Sequence, residues 1–216
     1  LALGHPALSA QLDSKITGSV AIDFAEQAIN SNYVAKIDNS EIAGSLVAKN
    51  FQHPAYTFDI GINSIDLDRY LKPDWSKRFL DDAAPLDFSS LKELKLRGTL
   101  RAGALTLAKI KTSKLSAEIV AEQSSLQIEP INANFYGGTL SGSLSLSARE
   151  QPDISLRQKL ANVQINQLLQ DAGGEARLNG KGNLALELNA KVDSLGAWRE
   201  SLAGNATITL ARVSLA

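Results

Sequence analysis

Apolar and polar residues alternate with a period of two along most of this chain, and the alternation is cleanest from Leu140 to Ala148. There Leu140, Gly142, Leu144, Leu146 and Ala148 share one parity, and Ser141, Ser143, Ser145 and Ser147 take the other. Successive side chains of a strand point to opposite faces, so this segment predicts a sheet with one greasy face and one polar face. The same rhythm runs through Leu94, Leu96, Gly98 and Leu100 against Lys95, Arg97, Thr99 and Arg101, and through Leu184, Leu186 and Leu188 against Glu187 and Asn189. Further strands are predicted at Val20 to Phe24, Tyr33 to Ile37, Leu46 to Ala48, Tyr56 to Ile62, Leu105 to Lys111, Leu115 to Ala121, Leu126 to Ile128, Ile131 to Phe135, Ile154 to Leu160 and Ala206 to Val213. The alternation rule thus yields about a dozen short strands.

Gly, Asn and Asp punctuate these runs, as in Asp38-Asn39, Tyr136-Gly137-Gly138 and Gly173-Gly174, which predicts antiparallel hairpins and an up-and-down meander. Short helices are predicted at Asp66 to Leu71, Asn166 to Asp171 and Ser194 to Leu202, each opening on an Asp, Asn or Ser suited to capping. Residues 72–90 carry Pro73, Pro85, Asp81-Asp82, Trp75 and Phe79 and break the rhythm, so they read as an irregular linker. Its aromatics are expected to plug an end or edge of the sheet, because large apolar side chains mostly supply buried area.

The stretch from Ile42 to Leu71 returns without a gap as Leu140 to Leu169, an offset of 98 residues. Gly44, Ser45, Leu46, Pro54 and Leu71 fall on Gly142, Ser143, Leu144, Pro152 and Leu169, and the apolar rhythm between them is kept. Repetition at this scale implies one supersecondary unit stacked on a copy of itself. The expected organisation is a single β-rich module over 1–216 with repeat copies at about 33–71 and 131–169. The chain begins at Leu1 and stops within an alternating segment, so it is expected to be a fragment of a longer protein.

The fold class expected is mainly β: a curved antiparallel meander forming an elongated groove or incomplete barrel, with short helices at the turns. Strands of roughly five to seven residues would span about 17 to 24 Å, and a dozen of them would extend a trough for about 50 Å. A half-bilayer of hydrocarbon is about 15 Å thick, so such a trough has room for acyl chains. The lining positions are Leu94, Leu96, Leu100, Leu140, Leu144, Leu146, Leu184, Leu186 and Leu188. Aliphatic walls without polar hooks suit flexible hydrocarbon better than a rigid hydrogen-bonding substrate.

Charge and composition narrow the partners. With 22 basic and 23 acidic residues the net charge is −1, which offers no field for a phosphate backbone, so nucleic acid is not expected. Cysteine is absent, which removes disulfides, thiolate catalysis and Cys-based zinc sites. No apolar run approaches the roughly 18 residues of a membrane span.

Candidate chemistry is sparse. His5 and His53 each precede a proline, where the favoured extended backbone suits a turn better than a general base. Gly142-Ser143-Leu144 sits in a regular strand rather than a strained nucleophile elbow. Asp66 with Asp68, and Asp81 with Asp82, could ligate calcium or flank a glycosidic bond. At the offset of 98, however, Asp66 and Asp68 become Gln164 and Asn166, so capping explains both copies where a metal would explain one. Gly180-Lys181-Gly182 lacks the context of a phosphate cradle. No catalytic residue, metal site or cofactor is expected, and the chain is not expected to be an enzyme.

Several motifs, in order, resemble the C-terminal region of the AsmA family of Gram-negative envelope proteins. They are Phe58-Asp59-Ile60 with Ile65-Asp66-Leu67-Asp68-Arg69-Tyr70-Leu71, Leu91 to Leu100, Phe135-Tyr136-Gly137-Gly138-Thr139-Leu140-Ser141-Gly142, Asn162-Val163-Gln164-Ile165 with Leu168-Leu169, and Leu178-Asn179-Gly180-Lys181-Gly182. The resemblance covers about Gly44 to Ala216 and implies a kinship with bridge-like lipid-transfer proteins of the TamB and YhdP type. It further implies a periplasmic module of outer-membrane biogenesis, tethered to the inner membrane by a helix absent from this sequence. The expected partner is a phospholipid or other acyl-chain lipid, together with envelope proteins. The alternative is a structural scaffold that assists outer-membrane protein assembly, its apolar face filled by a second sheet as a sandwich core.

Overall fold

The computed structural model describes residues 14–71, 87–174, 178–192 and 200–215. Eleven strands form one sheet: β1 Ser14–Asp23, β2 Ala28–Ile37, β3 Ser40–Lys49, β4 Ala55–Asp66, β5 Lys95–Leu107, β6 Ile110–Glu122, β7 Ser125–Phe135, β8 Gly138–Ser147, β9 Asp153–Gln164, β10 Leu178–Lys191 and β11 Ala203–Leu215. Each strand lies beside its neighbour in sequence, and the sheet is curved and open, β1 and β11 forming its edges. The helical pieces include a 3₁₀ turn at Leu67–Arg69, another at Ser89–Leu91, and the helix α1, Ile165–Asp171. The predicted fold class holds. Trp75, Phe79, Asp81, Asp82, His5 and most of the helix predicted from Ser194 lie outside the described residues.

The meander has one exception. Every adjacent pair is antiparallel except β4 and β5, which run parallel with Tyr56 beside Leu96 and Ile60 beside Leu100. A hairpin reverses the chain, whereas a parallel pair needs a crossover of a dozen or more residues. Residues 67–94 are long enough to return the chain to the opposite rim. At the matching place in the second copy the connection is α1 with a few residues more, and β9 and β10 pair antiparallel.

The strands are longer than the roughly five to seven residues expected, running from 10 to 14. Two features hid this in the sequence. Leu126 to Ile128 and Ile131 to Phe135 belong to one strand, β7, whose register against β8 shifts between Ile128 and Ile131. Pro130 has no N–H for a ladder, and the bulge absorbs it. Leu105 to Lys111, conversely, is not one strand, because the chain turns at Ala108-Lys109.

That turn carries no Gly, Asn or Asp, although both residues take positive φ, 51° and 66°. A two-residue turn of this hand normally selects Asn-Gly. Here Asp68, forty residues away, accepts the Ala108 N–H on Oδ1 and the Lys109 N–H on Oδ2, both at 2.6 Å. A long-range carboxylate therefore does what local turn chemistry usually does. Asp66 caps the 3₁₀ turn as expected, accepting the Asp68 N–H at 3.1 Å, whereas Asp68 clamps the β5–β6 turn instead of capping.

The offset of 98 residues reappears in the pairing. Ile42, Gly44 and Leu46 of β3 face Ile62, Ile60 and Phe58 of β4. Leu140, Gly142 and Leu144 of β8 face Leu160, Gln158 and Leu156 of β9. Each residue of the second set stands 98 positions after its counterpart in the first.

Candidate functional site

Register carries the alternation of single strands across the whole sheet. One row passes from Ile22 to Ile29, Ala48, Tyr56, Leu96, Ala121, Leu126, Leu146, Ile154 and Ala190, each residue paired with the next. Every member is apolar or a tyrosine. A parallel row through Leu46, Phe58, Gly98, Ile119, Ile128, Leu144, Leu156 and Leu188 continues the same side of the sheet. The other side carries Asp59, Arg97, Arg101, Glu118, Ser143, Arg157 and Glu187, with ion pairs between Arg101 and Asp59 and between Arg157 and Glu187. Exposed pairs of this kind contribute about 0 to 1 kcal/mol, so they mark the solvated face rather than hold the fold.

No second sheet lies over the apolar face, since all described strands belong to one sheet. The self-filled sandwich core is therefore not the architecture found. Buried apolar residues are mostly alanines, and no large side chain is fully buried among the described residues. At the edges the face is bare: Ile16 and Val20 of β1 are 71% and 67% exposed, and Ile208 of β11 is 67% exposed. Exposed apolar area on this scale marks an interaction surface.

Among the described residues the chain covers the face near its two rims. At one, the 3₁₀ turn at Ser89–Leu91 drops Leu91 onto Ala121 and Ala148, with Phe88, Leu94, Leu96, Leu126 and Leu146 packed around them. At the other lies α1, whose Ile165 Cδ1 approaches to 3.2 Å of the place a Cβ would take at Gly182. Gly182 pairs with Leu210 in β11, so α1 rests on the apolar side.

The nine leucines marked in the sequence are all partly buried, none fully. Leu96, Leu100, Leu140, Leu144, Leu146, Leu184, Leu186 and Leu188 lie in strands on the apolar face. Leu94 immediately precedes β5, and with Leu96 and Leu146 it packs into the Leu91 cluster, so the chain's own turn fills that end. Sequence reasoning missed Tyr33 and Phe58 as members of the face. The signal was present: Tyr33 faces Gly44 and Phe58 faces Gly98, and a glycine opposite leaves room for a ring to lie across the strand.

It also missed two Tyr–Asp latches at the α1 rim. The Tyr70 hydroxyl, beyond the 3₁₀ turn, donates to Asp38 Oδ2 in the β2–β3 turn at 3.1 Å. In the second copy the partners exchange sides: Tyr136, in the β7–β8 turn, donates to Asp171 Oδ2 of α1 at 2.8 Å. Tyr136 also accepts the Lys111 N–H at 3.1 Å, and the Lys111 ammonium lies 3.1 Å from Asp171 Oδ2. Position 38 in one copy is position 136 in the other, so the contact is kept while its chemistry is reversed.

The hydrogen bond from Tyr136, and then that from Lys111, hold the Asp171 carboxyl below its ordinary value. Burial, with a smaller contribution from Asp171, pushes the Tyr136 phenol up. A carboxyl with a depressed folded value stabilises the fold above its unfolded value, near pH 3.9, and loses that contribution as pH falls through the folded value. Wild type should therefore melt above Asp171→Asn at neutral pH, and the gap in Tm should narrow as the pH falls below about 3.9. An equal gap at pH 3 and pH 7 would show that the latch carries no charge-dependent stability.

Among the described residues no helix is long and apolar enough to cross a membrane. No curated protein and no solved structure matches this chain. A family model, that of the AsmA family, matches residues 72–212. That match spans more than half of the sequence and takes in β5 to β10. The chain therefore belongs to the AsmA family, which is associated with the bacterial envelope.

Proposed function

We propose that this chain is a lipid-handling module of the bacterial periplasm, which shields the acyl chains of phospholipids on its apolar face during outer-membrane biogenesis. The observation that carries this reading is an apolar face of eleven strands with no second layer over it among the described residues. Ten spacings of about 4.8 Å make it roughly 48 Å across, and strands of ten or more residues make it over about 30 Å deep. Hydrocarbon is the occupant such a surface fits. The lining is mostly aliphatic, with Tyr33, Tyr56 and Phe58 as aromatic members and isolated polar positions such as Ser31 and Gln158, which suits flexible hydrocarbon better than a rigid ligand.

In this reading the chain is not an enzyme and movement along the face is passive, headgroups remaining in water. Tethering to the inner membrane falls to a segment outside this sequence. A photoreactive residue at Leu144, introduced in cells, should form adducts with phospholipid, while one at Ser143 on the polar side should not. Protein-only adducts at Leu144 would replace the lipid reading with that of an assembly scaffold.

A further inference from the structure

The polar cleft beside the α1 rim is unused by the reading above, yet it opens where the apolar face ends. Its volume is about 410 Å³, within the range of small-molecule sites. Lys111, Asn134, Tyr136, Gln167, Gln170 and Asp171 supply its polar lining. Phe135, buried, also lines it, and by register it stands on the same side of β7 as Ala133, which pairs with Leu140 of the apolar face. Thr112 also lines it and holds its hydroxyl buried with no hydrogen-bond partner. A polar atom left unpaired costs about 1 to 3 kcal/mol, which a ligand oxygen or a water would offset.

Resting on the lipid reading of the apolar face, we infer that this cleft seats the zwitterionic headgroup of a phospholipid whose acyl chains lie on that face. Charge selects the class. The charged groups lining the cleft are one ammonium, Lys111, and one carboxylate, Asp171, 3.1 Å apart, so the site sums to zero. A phosphate-and-amine headgroup can meet both, its phosphate toward Lys111 and its ammonium toward Asp171. A net anionic headgroup gains Lys111 but meets Asp171 as a like charge. The amides of Asn134, Gln167 and Gln170 donate or accept and favour neither sign.

The purified protein, incubated with vesicles of equimolar phosphatidylethanolamine and phosphatidylglycerol, is analysed by native mass spectrometry. One charge contact near a lipid surface is worth about 1 kcal/mol, so phosphatidylethanolamine should be enriched about fivefold. Gln170 is exposed on α1, takes no part in the latch, and tolerates substitution. Gln170→Lys gives the cleft a net positive charge and should erase or invert the preference, whereas Ser143→Lys on the polar face should leave it unchanged. Equal capture of both lipids by wild type, or a preference that Gln170→Lys does not move, overturns the headgroup seat and leaves the lipid face standing. Absence of any captured lipid overturns both. Soluble glycerophosphoethanolamine should not bind at millimolar concentration; its binding there would assign the cleft to the free ester instead.

Discussion

Leu186→Glu is expected to reduce phospholipid capture about a hundredfold while leaving the protein folded. Leu186 stands on the apolar face between Gln158 of β9 and Ala206 of β11, partly buried and under no second sheet. Placing a carboxylate against hydrocarbon costs about 2.5 to 3.5 kcal/mol, and each 1.4 kcal/mol is tenfold in affinity. The cost to the fold is much smaller. A leucine in a closed core loses about 2 to 5 kcal/mol on truncation, but here the new charge reaches water, and about 1 kcal/mol is expected. Lipid copurification and urea denaturation, read on the same sample, separate the two effects. Unfolding of Leu186→Glu would mean that the face is a core after all, and unchanged lipid capture would mean that lipid does not use it.

The distinction matters because a sheet with one apolar face can cover it in three ways: by closure on itself, by a second sheet, or by a ligand. Alternation at Leu140 to Ala148 and at Leu184 to Leu188 established which residues share a side, since period two is a local property of the backbone. How far a sheet closes depends on twist and on contacts between distant strands, and neither is written in a window of ten residues. The structure leaves the edges at Ile16 and Ile208 open, which removes the first two options for the described residues.

Turn chemistry was legible where it is local. Tyr136-Gly137 signals its hairpin through glycine at a φ of +73°. Ala108-Lys109 gives no such sign, because the acceptor that stabilises it is the carboxylate of Asp68 on another element. The parallel pairing of β4 with β5 was equally invisible, being decided by the length of residues 67–94 and not by the strands. As for the candidate site, the leucines are recognisable one strand at a time. The cleft at α1 is assembled from β6, β7 and α1, and only the fold brings Lys111 to Asp171 across sixty residues.

Gly98→Ala should destabilise the sheet by about 2 to 3 kcal/mol, whereas Gly61→Ala one strand away should be neutral or slightly stabilising. A Cβ at Gly98 would stand 2.3 Å from the Phe58 carbonyl oxygen and 2.4 Å from Phe58 Cδ1, closer than such atoms ever pack. The oxygen is backbone and paired in the parallel ladder, so it has nowhere to go, and overpacking of this kind costs about 1 to 3 kcal/mol. At Gly61 the nearest atom is the Ala43 carbonyl oxygen at 3.8 Å, an ordinary contact. There alanine only reduces the freedom of the unfolded chain, worth up to about 1 kcal/mol in its favour. For a protein of this size the pair should differ in Tm by about 4 to 16 °C. Phe58→Ala combined with Gly98→Ala should recover part of the loss, the part due to the ring, and leave the part due to the carbonyl. Equal Tm values for Gly98→Ala and Gly61→Ala would mean that β4 and β5 do not approach as closely as the parallel register requires. The point where the two halves of the chain join would then be the place to reconsider the fold.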